Sequence, residues 1–179
     1  DQAVQTLLQR LADDQPLPIL SLAALFWLAA DVAPKRAFLL GWAYGLGLFL
    51  AGVSWVYVSI STYGGMPAPI AALATLLFCA FVALFPALAL ALGTRLSAPG
   101  WRRTALALPA AWALGEWVRS WIFTGFPWLA MGYSQAPDSP LAGYAPILGV
   151  YGVSLLAALS AGALTLLSPS PPGGCRQGF

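Results

Sequence analysis

Apolar residues gather into five runs along the chain, separated by short polar connections. Residues 1–15 are polar, yet Val4, Leu7, Leu8 and Leu11 recur on one helical face, which predicts a short amphipathic helix lying at a surface. The apolar runs follow at 17–30, 37–60, 69–93, 104–123 and 145–167. A hydrocarbon core of about 30 Å needs about 20 apolar residues in helical form. Four runs meet that length. The first supplies only about 21 Å of helix and is expected to tilt among its neighbours or stop short. Pro86, inside the third run, lacks an N–H and crowds the preceding turn, so a kink is predicted there. The segment from Ser168 onward is rich in Pro and Gly, has no periodicity and is read as disordered. The pattern predicts an all-α fold, a polytopic transmembrane helix bundle of about five hydrophobic segments over 17–167. It is flanked by a polar segment, 1–16, and a tail, 168–179.

Composition agrees. Of 179 residues, 60% are hydrophobic and 8% charged, where soluble domains carry about 25% charged residues. Eight Trp and six Tyr suit aromatic belts at the two membrane interfaces. A net charge of +2 is too small to suggest a nucleic-acid partner. The chain has no His, which excludes His-based metal sites and His general bases. Cys79 sits inside an apolar run and reads as a small buried hydrophobe. Cys175, in the tail, has no activating base beside it and reads as inert. No metal and no cofactor are expected.

Basic residues orient the bundle. Lys35 and Arg36 separate the first two runs, Arg95, Arg102 and Arg103 separate the third and fourth, and Arg176 follows the last. All three places fall on one side, read as cytoplasmic. The opposite side receives 61–68 and 124–144, which hold no Lys or Arg. This puts the N-terminus outside, with no basic n-region before an apolar stretch. A preceding helix is therefore expected to be missing.

Two outer loops carry the candidate chemistry. In the first, Gly64 and Gly65 permit positive φ and Pro67 then fixes φ, so a tight turn is expected. Trp55, Tyr57 and Tyr63 flank it. The loop is either a helix-ending turn with an aromatic belt or one wall of a lipid-facing cleft. In the second loop, Gly125 ends a helix and Pro127 prevents its resumption. Phe126, Trp128 and Tyr133 are bulky, and Thr124, Tyr133, Ser134 and Gln135 add polar groups. Non-helical backbone at membrane depth survives where it is buried in protein or lines a cavity, so a belt and a cavity wall both remain open. Just before this loop, Glu116 and Arg119 stand three residues apart and share a helix face. Ionisable groups at that depth are costly and rarely incidental. Two readings stand. One is an ion pair fastening helices together, with Arg119 reaching outward. In the other, Arg119 meets a lipid phosphate through its planar fork, and Glu116 steadies the guanidinium.

These strings also carry a resemblance. Val53-Ser-Trp-Val-Tyr-Val-Ser-Ile60 with Tyr63-Gly-Gly-Met-Pro67, together with 116–135 and Ser139-Pro-Leu-Ala-Gly-Tyr-Ala-Pro-Ile-Leu-Gly-Val150, closely resemble the membrane domain of bacterial apolipoprotein N-acyltransferases. The likeness runs from about Leu17 to about Leu167. It implies an enzyme of the bacterial inner membrane that moves an acyl chain from a membrane phospholipid to the N-terminal diacylglyceryl-cysteine of an apolipoprotein. In that family an extracytoplasmic nitrilase-like domain does the chemistry, through a Glu–Lys–Cys triad and a thioester intermediate. The membrane helices deliver lipid to it. What transfers by resemblance is the lipid-facing scaffold: Trp55, Tyr57, Tyr63, Gly64, Gly65, Met66, Glu116, Arg119, Gly125, Phe126, Pro127, Trp128, Tyr133, Ser134 and Gln135.

No triad can be assigned. The chain's only Lys is Lys35, on the cytoplasmic side. The family's first membrane helix, a helix after Leu167 and the nitrilase-like domain have no counterpart here, so the chain alone is expected to be inactive. A different possibility is a lipid- or lipoprotein-binding membrane module that works with a separate catalytic chain. A small transporter is a third. It would call for polar groups near mid-membrane on several helices, whereas the charged pair lies on one helix towards its outer end.

Overall fold

The computed structural model describes residues 16–135 and 139–167. The amphipathic reading of 1–15 and the disordered tail from Ser168, Cys175 included, lie outside the described residues. Within them the chain is helical, with no strand. Helix α1 is Pro16–Ala29 and α2 is Pro34–Gly52, followed by the single turn α3, Trp55–Val58, and a wide π-helical turn, Ser59–Tyr63. Helices α4, Ala68–Val82, and α5, Leu84–Leu96, run on from one another. A second π-helical turn, Arg103–Ala107, leads into α6, Leu108–Arg119, and the last helix is α7, Ala145–Leu167.

The expected apolar runs reappear, with breaks that the chemistry explains. The 69–93 run continues to Leu96, and Ala68–Leu96 is long and apolar enough to cross a membrane. Its break falls at Ala83 rather than at Pro86, because a proline ring disrupts the turn that precedes it. Pro140–Leu167 also reaches spanning length. The 37–60 run is not one straight span. It bends by 53° between Pro34–Gly52 and Trp55–Tyr63, and qualifies as a crossing only as a bent pair. Helix α1 is a shorter apolar helix, in keeping with its 14-residue run. The 104–123 run is divided between the π-helical turn, the 12-residue α6 and a short 3-10 turn, and on its own it falls short of a crossing. The chain is a membrane protein whose bundle mixes full spans with broken helices.

Close approach of α2 and α5 sets the frame. The buried positions of α2 are Ala37, Gly41, Gly45 and Phe49, one every four residues. A Cβ on Gly41 would stand 2.7 Å from the Pro86 carbonyl oxygen, and one on Gly45 2.5 Å from Pro86 Cγ. Small residues at this spacing let two backbones meet where hydrocarbon offers no hydrophobic drive. Around this crossing lie two cores. One joins α1, α6 and α7 through Leu22, Phe26, Leu108, Trp112, Ala157 and Ala161. The other gathers Phe49, Val53, Cys79 and Val82 beneath Phe126 and Leu129 of the outer loop.

At the end of the bundle opposite the 124–135 loop, Arg103 is 5% exposed and uses its whole fork. Nε donates to the Ser97 carbonyl at 2.9 Å, and Nη2 to Ser97 at 2.7 Å and Thr94 at 3.1 Å. Nη1 donates to Ala30 at 3.1 Å and Val32 at 3.2 Å. Helix ends leave carbonyls without partners. Arg103 satisfies those that follow α1 and end α5. Read from sequence as a topology-setting charge, it is also a staple.

Candidate functional site

Helix α6 presents Trp112, Glu116 and Arg119 to the interior; Glu116 is 6% exposed and Arg119 3%. The helix ends at Arg119 because the chain then turns out of helical geometry. Phe123 takes φ 51° and ψ 47°, and Gly125 takes φ 82°. A Cβ at Gly125 would lie 2.1 Å from the Ser120 carbonyl oxygen, so this tight return needs glycine. Leu129, at φ 57°, is a second bulky residue in the left-handed region. Backbone held there is strained and persists only when its surroundings fix it.

The acid and the base do the fixing. Glu116 Oε1 accepts the Met131 N–H at 2.9 Å and the Trp112 indole N–H at 2.9 Å. Arg119 Nη1 donates to the Trp128 carbonyl at 2.7 Å, and the Arg119 carbonyl accepts the Phe126 N–H at 2.9 Å. The guanidinium carbon lies 5.0 Å from the centre of the Phe49 ring. Each charged side chain thus makes a hydrogen bond to the main chain of the 126–131 loop, and Glu116 also accepts from Trp112 on its own helix. Arg119 does not reach outward. Ser154 of α7 stands beside the Glu116 carboxylate, and among the described residues Oε2 meets no hydrogen-bond donor. Ser154 Oγ instead accepts the Gly132 N–H at 2.8 Å. Met131 and Gly132 are therefore tied to two helices at once.

Side chains complete the seat. Leu129 occupies the space over Gly52 at the bend after α2, where a Cβ would meet its Cδ1 at 2.4 Å. The Phe126 ring lies edge-on to Phe78 at 5.0 Å and to Phe49 at 6.5 Å. Trp128 meets Trp55 at 5.8 Å, which joins the two outer loops. Gln135 is 2% exposed. Its amide donates to Ser134 Oγ at 3.0 Å and accepts from Ser139 Oγ at 2.9 Å.

Beneath the pinned loop lies a cavity of about 900 Å³, at the upper end of the range for small-molecule sites. Its walls come from α1 (Leu17, Pro18, Ser21), α2 (Tyr44, Leu48), α6 (Trp112, Glu116) and the loop (Pro127 to Met131, Tyr133, Ser134). Of the residues expected to form a site, the cavity brings together Glu116, Pro127, Trp128, Tyr133 and Ser134. Arg119, Gly125, Phe126 and Gln135 support the loop from outside the cavity wall. Trp55 joins only through Trp128. Tyr57, Tyr63, Gly64, Gly65 and Met66 stay exposed on the other loop and do not line the cavity. Sequence reasoning missed the floor: Ser21 and Tyr44, whose hydroxyls lie 2.9 Å apart, Leu17 and Leu48. A serine and a tyrosine placed within apolar helices were the available signal.

The described residues hold no group of three or more His, Cys, Asp or Glu side chains that could seat a metal. Cys79 is free and buried, packed in the α2–α4 core. Lys35 is exposed at the start of α2, at the far end of the bundle. The described residues thus bring no thiol together with a Lys and a Glu.

A family model described as the apolipoprotein N-acyltransferase N-terminal domain matches residues 3–163. The chain is 49% identical over 158 residues to an apolipoprotein N-acyltransferase of Nitrosomonas europaea, a match covering 82% of this chain and 30% of that protein. It is 51% identical over 144 residues to the Chromobacterium violaceum protein of the same name, covering 80% of this chain and 27% of that one. With the Methylococcus capsulatus protein it shares 50% identity over 146 residues, 81% of this chain and 29% of the relative. The chain thus corresponds to under a third of the length of these relatives.

Proposed function

Because the chain belongs to the apolipoprotein N-acyltransferase N-terminal domain family, we propose that it is the membrane part of an enzyme that acylates lipoproteins. The donor is a membrane phospholipid, and the acceptor is the N-terminal diacylglyceryl-cysteine of an apolipoprotein. The observation that carries this reading is the 900 Å³ cavity roofed by the loop that Glu116 and Arg119 pin. It gives the domain a place to hold lipid apart from the bilayer. Pro127, Trp128, Tyr133 and Ser134 shape the portal, and Trp55 braces it from the neighbouring loop. Tyr57, Tyr63, Gly64, Gly65 and Met66 form an outer lip, and Gly125, Phe126 and Gln135 hold the loop's shape.

In this account the protein lies in the bacterial inner membrane, with 61–68 and 124–144 on the extracytoplasmic face. Acyl transfer through a cysteine thioester belongs to a catalytic domain above that face. The 179-residue chain by itself forms no acyl thioester on Cys79 or Cys175 when given phospholipid with a labelled acyl chain. A positive test replaces the matching stretch of the Nitrosomonas europaea relative with this chain. The chimera is expected to sustain N-acylation in cells depleted of their own enzyme, read by mass spectrometry of lipoprotein N-terminal peptides. A chimera that reaches the membrane at normal levels and leaves lipoproteins without the N-acyl group contradicts the proposal.

A further inference from the structure

Charge is unevenly answered at the two ends of the bundle. The only acids among the described residues are Asp31 and Glu116. Glu116 acts on Arg119 at the loop end, and Asp31 acts on Arg103 at the other. That leaves Lys35, Arg36, Arg95 and Arg102, all exposed, with no further acid among the described residues. The Arg103 fork gathers the segments that carry them. It donates to the carbonyls of Ala30 and Val32, just ahead of Lys35 and Arg36, and to those of Thr94 and Ser97, on either side of Arg95. Arg102 is its neighbour in the chain. All five N–H groups of Arg103 are taken by these bonds, so an incoming anion would meet the other four cations. Their depth is set by the helices. Arg95 lies in the last turn of α5, where the apolar stretch Ala68–Leu96 ends. Trp101 and Leu96 are exposed beside the cations, and the Arg102 guanidinium carbon lies 5.6 Å from the centre of the Trp101 ring. Tryptophan in such a place marks headgroup level. Lys35 and Arg36 occupy the first turn of α2, which contains no acid. The helix dipole already makes that end positive, so two cations there repel it and an external anion would relieve the repulsion.

We propose that Lys35, Arg36, Arg95 and Arg102 form a binding surface for the anionic headgroups of the membrane leaflet at that end. Basic clusters that flank membrane helices attract anionic lipid in this way. The apolar rim of Trp101 and Leu96 suits a lipid, whose chains it can border, better than a phosphate free in solution. Such a lipid is held by its charge, at the end of the bundle opposite the cavity, and is not the acyl donor. The surface does not depend on the acyl-transfer reading. Its role is to hold the closed end of the bundle at an anionic membrane face.

The test is native mass spectrometry of the 179-residue chain in detergent, titrated with phosphatidylglycerol or with phosphatidylcholine of the same acyl composition. Phosphatidylglycerol is expected to bind at least about fivefold more tightly, the worth of one cation near an anionic surface. Combining Lys35→Gln, Arg36→Gln, Arg95→Gln and Arg102→Gln is expected to bring the two lipids to within about twofold of each other. The melting temperature in phosphatidylcholine should stay that of the parent, since all four side chains are exposed. Combining Arg36→Lys, Arg95→Lys and Arg102→Lys keeps the charge and should keep the preference. If the fourfold variant does not assemble, Lys35→Gln with Arg36→Gln should by itself lower the preference at least about twofold. Equal binding of the two lipids by the parent overturns the proposal, as does a preference that survives the glutamine substitutions. Displacement of the bound lipid by glycerol phosphate would make the ligand a soluble phosphate and overturns it as well.

Discussion

Glu116 and Arg119 hold a loop that could not hold itself. Leu129 and Phe123 sit at positive φ, a conformation costing about 1–3 kcal/mol per residue unless the surroundings impose it. The carboxylate grips Met131 and the guanidinium grips Trp128, one on each side of Leu129. Glu116→Leu leaves the Met131 and Trp112 N–H groups without their acceptor. It is expected to destabilise the purified chain by about 3 kcal/mol, read by denaturation in detergent. Glu116→Gln keeps a carbonyl oxygen in place and is expected to cost about 1 kcal/mol or less. Equal effects of the two would mean that the carboxylate's charge, not its acceptor, holds the loop. Much of this was legible beforehand. An acid and a base on one face of an apolar helix drew attention to this loop, and Gly125 and Pro127 marked it as non-helical, although the helix already ends at Arg119. Their targets were not legible, because Met131 N–H and the Trp128 carbonyl are main-chain groups, which every residue has. Spacing shows that two side chains share a face but not what a returning loop will offer them.

At the scale of elements, hydropathy located the apolar runs and Pro86 marked the break between α4 and α5, while other breaks depend on contacts that no single run contains. The α2 run bends after Gly52, where Leu129 from 77 residues further along lies against the chain. Likewise, Arg103 was visible only as one of several loop charges. Its five hydrogen bonds depend on three chain segments meeting. Arg103→Lys keeps the charge but replaces a planar five-donor fork by three donors on one atom. It is expected to cost about 2 kcal/mol, seen as a lower melting temperature and faster hydrogen exchange at the ends of α1 and α5. A melting temperature equal to that of the parent would show that charge alone suffices there.

The whole molecule has a polarity. The small-residue crossing of α2 and α5 and the Arg103 staple build a closed end, and the pinned loop and cavity build an open one. The orientation proposed from the distribution of basic residues puts the closed end in the cytoplasm. In a Cys79→Ala, Cys175→Ser background, Thr62→Cys is therefore expected to react with an impermeant thiol reagent applied from the outer face. Lys35→Cys should react only after the membrane is opened. The reverse pattern would invert the account.

The loop's position is its central claim, and lipoprotein N-acylation by the Nitrosomonas europaea chimera carrying Glu116→Leu tests it most directly. With chimera levels in the membrane matched, product is expected to fall by at least about tenfold, the equivalent of about 1.4 kcal/mol in the barrier, and Glu116→Gln should restore most of it. Full N-acylation by the Glu116→Leu chimera would contradict the account, since lipid would then reach the catalytic domain without the loop that this carboxylate holds.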